Sequence, residues 1–389
     1  MADIYLKKKE ERRIEGGHHW VFSNEVMQIE GEPANGELCS LFTSTGKFLG
    51  AGFWNKNSLI CLRLLAREKT DNAEALIKER IISAEKLRNK IMSGRTAYRL
   101  VFGESDGLPG LVIDRYNDTY ILQIHSAGME RMKQVISDTL LSSLSAKNVL
   151  TRNDMYFRGL EGLAQEDEVL AGHQTKETIS IEGVKYHVDF SEAQKTGLFL
   201  DQAANRIYIS RFTKNAAVLD VFCNSGGFGL HALTGGASEV VFTDISEQAL
   251  HSVRQNCELN NFTGNTDFVK GDAFTVLKEL HQQGKTFDIV IADPPAFVKS
   301  WKKLQEGIKG YISINAHALK LVRQGGFYAT ASCSHHISRE MFLEAILKAA
   351  QKEGKDLRLL HFSGAGEDHP VLPAMPETEY LKFAFFAVG

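Results

Sequence analysis

The sequence predicts a multidomain α/β protein: a β-rich N-terminal unit, a middle α+β unit, and a C-terminal parallel sheet wound with helices. Three observations lead there. At 389 residues the chain exceeds the ordinary size of one domain, so two or three separate cores are expected. Up to about residue 68, short apolar runs are punctuated by glycine, the pattern of a small β unit. From about residue 190, strand-like runs alternate with helix-like ones, the signature of βαβ units. The expected domains are therefore 1–68, 69–190 and 191–389.

In order along the chain, residues 37–42, 48–53 and 58–64 read as strands of the first unit. From about 72 to 93, Ile77, Ile81, Ala84, Leu87 and Ile91 recur at helical spacing with charges on the other faces, which predicts a surface helix. Strand-like runs at 111–113, 120–125, 149–152 and 178–190 complete the middle unit. The C-terminal sheet is expected from 216–222, 239–243, 266–270, 287–292 and 326–330, with 357–362 and 382–388 closing the chain. Ligands of such open sheets sit beyond the carboxyl ends of the strands, so the residues just after each strand are the ones that matter.

Composition narrows the function classes. With 43% hydrophobic and 24% charged residues, and no apolar run long enough to cross a bilayer, a membrane partner is not expected. The first nine residues lack the apolar stretch and cleavage site of a signal peptide, so the expected location is the cytoplasm. The five cysteines, at 39, 61, 223, 257 and 333, are odd in number and form no C-x-x-C pair, which predicts free thiols rather than disulfides or zinc. The histidine pairs His18–His19 and His335–His336 lack metal-site spacing, so no metal is expected. A net charge of −3 lacks the global footprint of a nucleic-acid binder, and any RNA contact must use local patches. Two patches qualify: Lys7, Lys8, Lys9, Arg12 and Arg13, and Lys299, Lys302, Lys303 and Lys309 opposed only by Glu306. Each reads equally well as a solvated face.

The first C-terminal strand runs into VLDVFCNSGGFGL, residues 218–230, in which Asp220 and Phe222 end the strand and Asn224, Ser225, Gly226 and Gly227 turn into a helix ahead of Phe228. Glycine there lets a ligand approach the backbone closely, but G-G-x-G is a poor match to the dinucleotide fingerprint. Asp244 ends the second strand about twenty residues on, placed to accept from two ribose hydroxyls. Asp272 ends the third, placed to receive an adenine amino group. Each carboxylate alone reads as a helix cap. Three in register, Asp220, Asp244 and Asp272, point to an adenosyl ligand. Upstream, AQKTGLFLDQ offers Lys195, Thr196 and Gly197 either as a lid over the carboxylate end of that ligand or as a linker and helix cap.

The fourth strand runs into DPPAF, where Pro294 and Pro295 stiffen the loop, Asp293 can hold the Watson–Crick edge of a base, and Phe297 can wall its ring. The fifth strand ends in Ser332-Cys333-Ser334, which places a thiol beside Asp293. Cytosine carbon 5 does not attack a sulfonium methyl group unaided, but a thiolate added at carbon 6 turns the ring into an enamine that does. Cys39, Cys61 and Cys257 read as small buried hydrophobes and Cys223 as structural, leaving Cys333 as the nucleophile.

With those residues in hand, the chain resembles the bacterial family of large-subunit ribosomal RNA cytosine-5 methyltransferases that join an N-terminal PUA domain to a class I methyltransferase domain. The resemblance spans nearly the whole chain. It rests on GGHHWVFSNEV, ESDGLPGLVIDRY, QKTGLFLDQ, VFCNSGGFGL, DPPAF, SCS and DHPVLPAMPETEYLK, which ends at Lys382. It implies a PUA-like RNA-binding unit in which Lys7, Arg12 and Arg13 contact RNA, and a Rossmann-like sheet that binds S-adenosyl-L-methionine. It also implies Cys333 as the catalytic nucleophile with Asp293. The implied substrate is 23S ribosomal RNA, free or in an assembling large subunit, and a homodimer is compatible with the reading. The family form has glycine before QKTG and arginine after Asp-Gln, where this chain has Ala193 and Ala203, with Arg206 three residues on. Two other functions remain open: an exocyclic amino methyltransferase using DPPAF without a cysteine, and a non-catalytic RNA-binding assembly protein.

Overall fold

The computed structural model describes residues 1–191, 196–262, 264–298 and 300–389. Two compact units divide the chain, and the division is not a simple cut. Residues 1–179, 188–198 and 367–378 form the first unit; residues 180–187, 199–366 and 379–389 form the second.

The first unit contains two sheets. One has six strands in the order Trp20–Phe22, Ile60–Ala66, Phe48–Trp54, Leu38–Phe42, Asp3–Leu6 and Val26–Glu30. The other has five, from Val169–Ala171 through Asn148–Thr151, Thr119–Ile124 and Leu111–Tyr116 to Ala97–Phe102. The expected helix spans Ala73–Ile91 and is capped by Asn72, whose side chain accepts from the Ala75 amide at 3.0 Å. It buries Ile77, Ile81 and Ala84, the face its spacing marks out, whereas Leu87 and Ile91 stay exposed. Phe53 and Leu65 from the six-stranded sheet enter the same apolar cluster as Ile77, Leu111 and Ile124. The first 68 residues therefore share a core with the segment that follows.

The second unit holds a seven-stranded sheet. Its strands are β1 (Ala217–Val221), β2 (Glu239–Asp244), β3 (Thr266–Lys270), β4 (Phe287–Ala292), β5 (Val322–Ser332), β6 (Leu357–Ser363) and β7 (Lys382–Val388), in the order β3-β2-β1-β4-β5-β7-β6. β1 to β5 pair in parallel. β7 inserts antiparallel between β5 and β6. Among the described residues six helices accompany these strands: α1 (Ala203–Ser210), α2 (Gly227–Thr234), α3 (Glu247–Leu259), α4 (Ala273–Gln282), α5 (Leu304–Lys320) and α6 (Arg339–Lys352). The central strands are apolar throughout, as burial on both faces requires: all five residues of β1 and five of the six in β4 are buried. The strand order reverses between β1 and β4, so both loops after these strands open on one crevice.

Candidate active site

The loop after β1 is bent by necessity. Phe222 (φ 63°), Asn224 (φ 48°) and Gly226 (φ 82°) all occupy the left-handed region, which folds the chain back before α2 begins. Three bonds pin the loop: the Cys223 amide to the Thr243 carbonyl (3.0 Å), the Asn224 amide to Asp244 Oδ2 (3.0 Å), and Asn256 Nδ2 to the Ser225 carbonyl (3.1 Å). A side chain at Gly227 would collide with the Arg206 guanidinium at 2.4 Å, so glycine there is what lets α1 and α2 approach.

Asp220 is buried, and Oδ2 accepts from the Gly229 amide at 2.8 Å while Oδ1 has no partner. Burial pushes its carboxyl up to about 7. Asp244 is half-buried; Oδ1 accepts from the Ser246 amide at 2.9 Å, so each oxygen keeps lone-pair capacity for a ligand hydroxyl. Asp272 is exposed and caps α4, accepting from the Phe274 and Thr275 amides at 3.1 and 3.3 Å. The Phe228 side chain is buried and stacks on Phe383 at 6.0 Å, so it serves the core while its backbone stays at the loop. Lys195 lies outside the described residues. Thr196 and Gly197 belong to the first unit, where Thr196 Oγ1 donates to Asp114 Oδ2 at 2.5 Å and Gly197 packs on Tyr116.

On the reacting side, Gln202 Nε2 donates to Asp293 Oδ2 at 3.0 Å. Gln202 is itself held by Asn205 (2.7 Å), and Asn205 by Ser363 (2.7 Å) and the Gly364 carbonyl (3.1 Å). That relay fixes the Asp293 carboxylate from behind. Pro294 is buried and Pro295 exposed; the half-buried Phe297 ring packs on Tyr311 at 4.9 Å. The serines around Cys333 both turn inward. Ser332 Oγ donates to the Tyr311 hydroxyl (2.8 Å), Ser334 Oγ shares a bond with the same hydroxyl (2.9 Å), and both serines are buried. With its neighbours tied inward, Cys333 is left half-buried at the strand end, while Cys39, Cys61, Cys223 and Cys257 are all buried. Burial, then the charges of Asp220 and Asp244, raise the Cys223 thiol well above its ordinary value, and burial raises Cys39, Cys61 and Cys257 to about 12.

Residues 164–387 match the family of S-adenosylmethionine-dependent methyltransferases, and residues 4–67 match a PUA-like domain. Among curated proteins, the ribosomal RNA large subunit methyltransferase I of Aeromonas hydrophila is 39% identical over 389 residues, with 98% of each chain covered. The protein of that name from Vibrio parahaemolyticus is 38% identical over 388 residues, again with 98% of each covered. The chain belongs to this methyltransferase family. Solved structures agree on the fold: a SAM-dependent methyltransferase from Streptococcus mutans covers 100% of both chains with a TM-score of 0.85 at 20% identity. A methyltransferase crystallised with SAH does so with a TM-score of 0.86 at 19% identity. The enzyme is a multidomain α/β protein with an N-terminal PUA-like domain and a class I methyltransferase sheet that uses S-adenosylmethionine.

The loop after β1 fits that cofactor on its own evidence. A glycine turn lies beside the Asp244 carboxylate, and beneath it Arg206, 5% exposed, has Nε and Nη1 without partners. In the sequence Arg206 stands out only as a departure from the family pattern, and nothing there marks Gln202, Asn205 or Lys382 as side chains of the site, save that Gln202 and Lys382 end two of the quoted motifs. Lys7, Arg12 and Arg13 lie in the first unit; Lys7 Nζ donates to the Asn24 carbonyl (2.7 Å), Arg12 is exposed, and Arg13 is taken up by Glu25 at 2.7 Å under Phe22.

Proposed function

We propose that this methyltransferase forms 5-methylcytosine in ribosomal RNA of the large subunit, in the cytoplasm, through a covalent bond between Cys333 and cytosine carbon 6. The observation that carries the reading is the exposure of Cys333 alone among five cysteines, at the strand end next to the Asp293 loop. The names of the relatives supply the class of RNA. Among the described residues no helix is long and apolar enough to cross a membrane.

In this mechanism Asp293, steadied by Gln202, holds the base edge, with Pro294 and Pro295 fixing the loop and Phe297 walling the ring. Cys333 adds to carbon 6, and the resulting enamine presents carbon 5 to the methyl group. The bound cofactor supplies that methyl group from its sulfonium. Loss of the carbon-5 proton to solvent then restores the double bond between carbons 5 and 6 as the bond to sulfur breaks and the thiolate leaves. Asp220, Phe222, Asn224, Ser225, Gly226, Phe228, Asp244 and Asp272 form the cofactor side. Asp244→Ala should weaken S-adenosylmethionine binding at least tenfold by calorimetry, since a charge-assisted bond contributes roughly 1.5–3 kcal/mol. Unchanged affinity in the folded variant removes Asp244 from the ribose.

Residues 1–68 act in this reading as the RNA-binding domain. Deleting them would strip Phe53 and Leu65 from a shared core, so charge is the better probe. Lys8 and Arg12 are both exposed. Replacing each with Glu should lower RNA affinity and flatten its salt dependence by about two counterions, leaving cofactor affinity intact. An unchanged salt slope excludes this face from the RNA contact. Covalent trapping on 5-fluorocytosine RNA tests the chemistry and separates it from amino methylation.

A further inference from the structure

We infer that the buried ammonium of Lys382 is the counter-ion that holds Cys333 as a thiolate, making Lys382 a positioning and activating residue of the site. The inference rests on the nucleophile reading above and adds what that reading lacks, a source of charge for the sulfur.

The geometry comes from the insertion of β7 beside β5. Lys382 is the first residue of β7 and pairs across the sheet with Ser332, immediately before the cysteine. Its Nζ then reaches past Cys333 to donate to the Ser334 carbonyl at 2.7 Å, and to the Tyr380 carbonyl at 2.8 Å. The side chain thus spans the cysteine from the residue before it to the residue after it. Two carbonyls fix two of the three ammonium protons, and at 5% exposure the group is almost dry. A buried ammonium needs negative charge nearby, and the charges that favour it are those of Cys333 first and Glu379 second. Attraction between two groups is mutual, so whatever a Cys333 thiolate does for Lys382, Lys382 does for the thiolate.

Other described side chains face this corner as well. Tyr380 donates its hydroxyl to Asp201 at 2.5 Å, His335 packs its ring on Tyr380 at 5.6 Å, and Tyr311 bonds to the two serines. Burial lowers Lys382 to about 8, so the ammonium still predominates at neutral pH and is lost as pH rises above that value. The ionisation consumes no co-reactant: the Sγ–H bond breaks, the proton goes to solvent, and the electron pair stays on sulfur.

The test reads the thiol itself, not turnover. Full-length protein is treated with iodoacetamide across a pH series, and alkylation of the Cys333 peptide is quantified by mass spectrometry. The wild type should show a midpoint below the ordinary thiol value of about 8.5. Lys382→Met should raise that midpoint by about one unit and slow alkylation at pH 7 about tenfold, while Lys382→Arg keeps it low. A wild-type midpoint at or above about 8.5 overturns the inference. So does an unchanged midpoint in the Met variant, or an equal rise in Met and Arg variants, which would mean that the carbonyl bridge matters and the charge does not. Should the Met variant fail to bind S-adenosylmethionine, the wild-type and Arg midpoints decide alone. Turnover by Cys333→Ala would sink the nucleophile reading, whereas the thiol midpoint reports on Lys382 either way.

Discussion

Cys333→Ala should form no adduct with RNA carrying 5-fluorocytosine and should show no turnover, while binding S-adenosylmethionine as the wild type does. Fluorine at carbon 5 cannot leave as a proton, so the wild-type enzyme should arrest with Sγ bonded to carbon 6, visible as a shifted band on a denaturing gel. Removing a covalent nucleophile costs several powers of ten in rate because no neighbouring group takes its place. Cys223, in the loop after β1, has its thiol raised by burial and by two carboxylates. The DPPAF loop offers Pro294 and Pro295 after Asp293 and no second cysteine, so Cys333 acts alone. An adduct that maps to Cys223, or full activity in Cys333→Ala, would end the mechanism. The latter result would favour methylation of an exocyclic amine, which needs Asp293 but no thiol.

The parts of this site that are local in sequence were legible in it. Strands β1, β2, β4 and β5 announce themselves by apolar runs, and the residues at their carboxyl ends land at the same edge because these strands run parallel. Asp220, Asp244, Asp293 and Cys333 could be placed by that rule alone. What the sequence hides is pairing over distance. Gln202 meets Asp293 across 91 positions, Ser363 meets Asn205 across 158, and Lys382 reaches Ser334 across 48. The antiparallel entry of β7 between β5 and β6 sets the last of these, and no periodicity in residues 382–388 encodes which neighbours that strand will take. The same holds in the first unit. The helical spacing of Ile77, Ile81 and Ala84 shows that a core exists, but not that Phe53 and Leu65 from the β-rich segment help to fill it.

Asp293→Asn should lower kcat by about a hundredfold or more, with S-adenosylmethionine affinity unchanged and the RNA affinity little altered. The substitution keeps the size and one acceptor of the side chain but removes the carboxyl group that accepts from the amino group of the base and can carry a proton to its ring nitrogen 3 as electron density shifts from Cys333 through carbon 6 into the ring. Loss of one such preorganised group typically costs about 10²–10³ in rate. Gln202→Ala leaves the carboxylate in place but removes the donor at 3.0 Å that orients it, so its effect should be smaller, about tenfold in kcat, with the Cys333 adduct still forming slowly. The order of the two effects is the point. A carboxylate that merely shapes the loop would make the Asn variant mild, because Asn can still accept the Gln202 bond through its carbonyl oxygen. A hydrogen-bond relay that matters only for folding would lower the stability of Gln202→Ala and leave its kcat at the wild-type value. Single-turnover kinetics with saturating cofactor, measured on both variants beside a thermal melt, separate the cases, and a kcat within a factor of three of wild type for Asp293→Asn would remove the carboxylate from the chemistry.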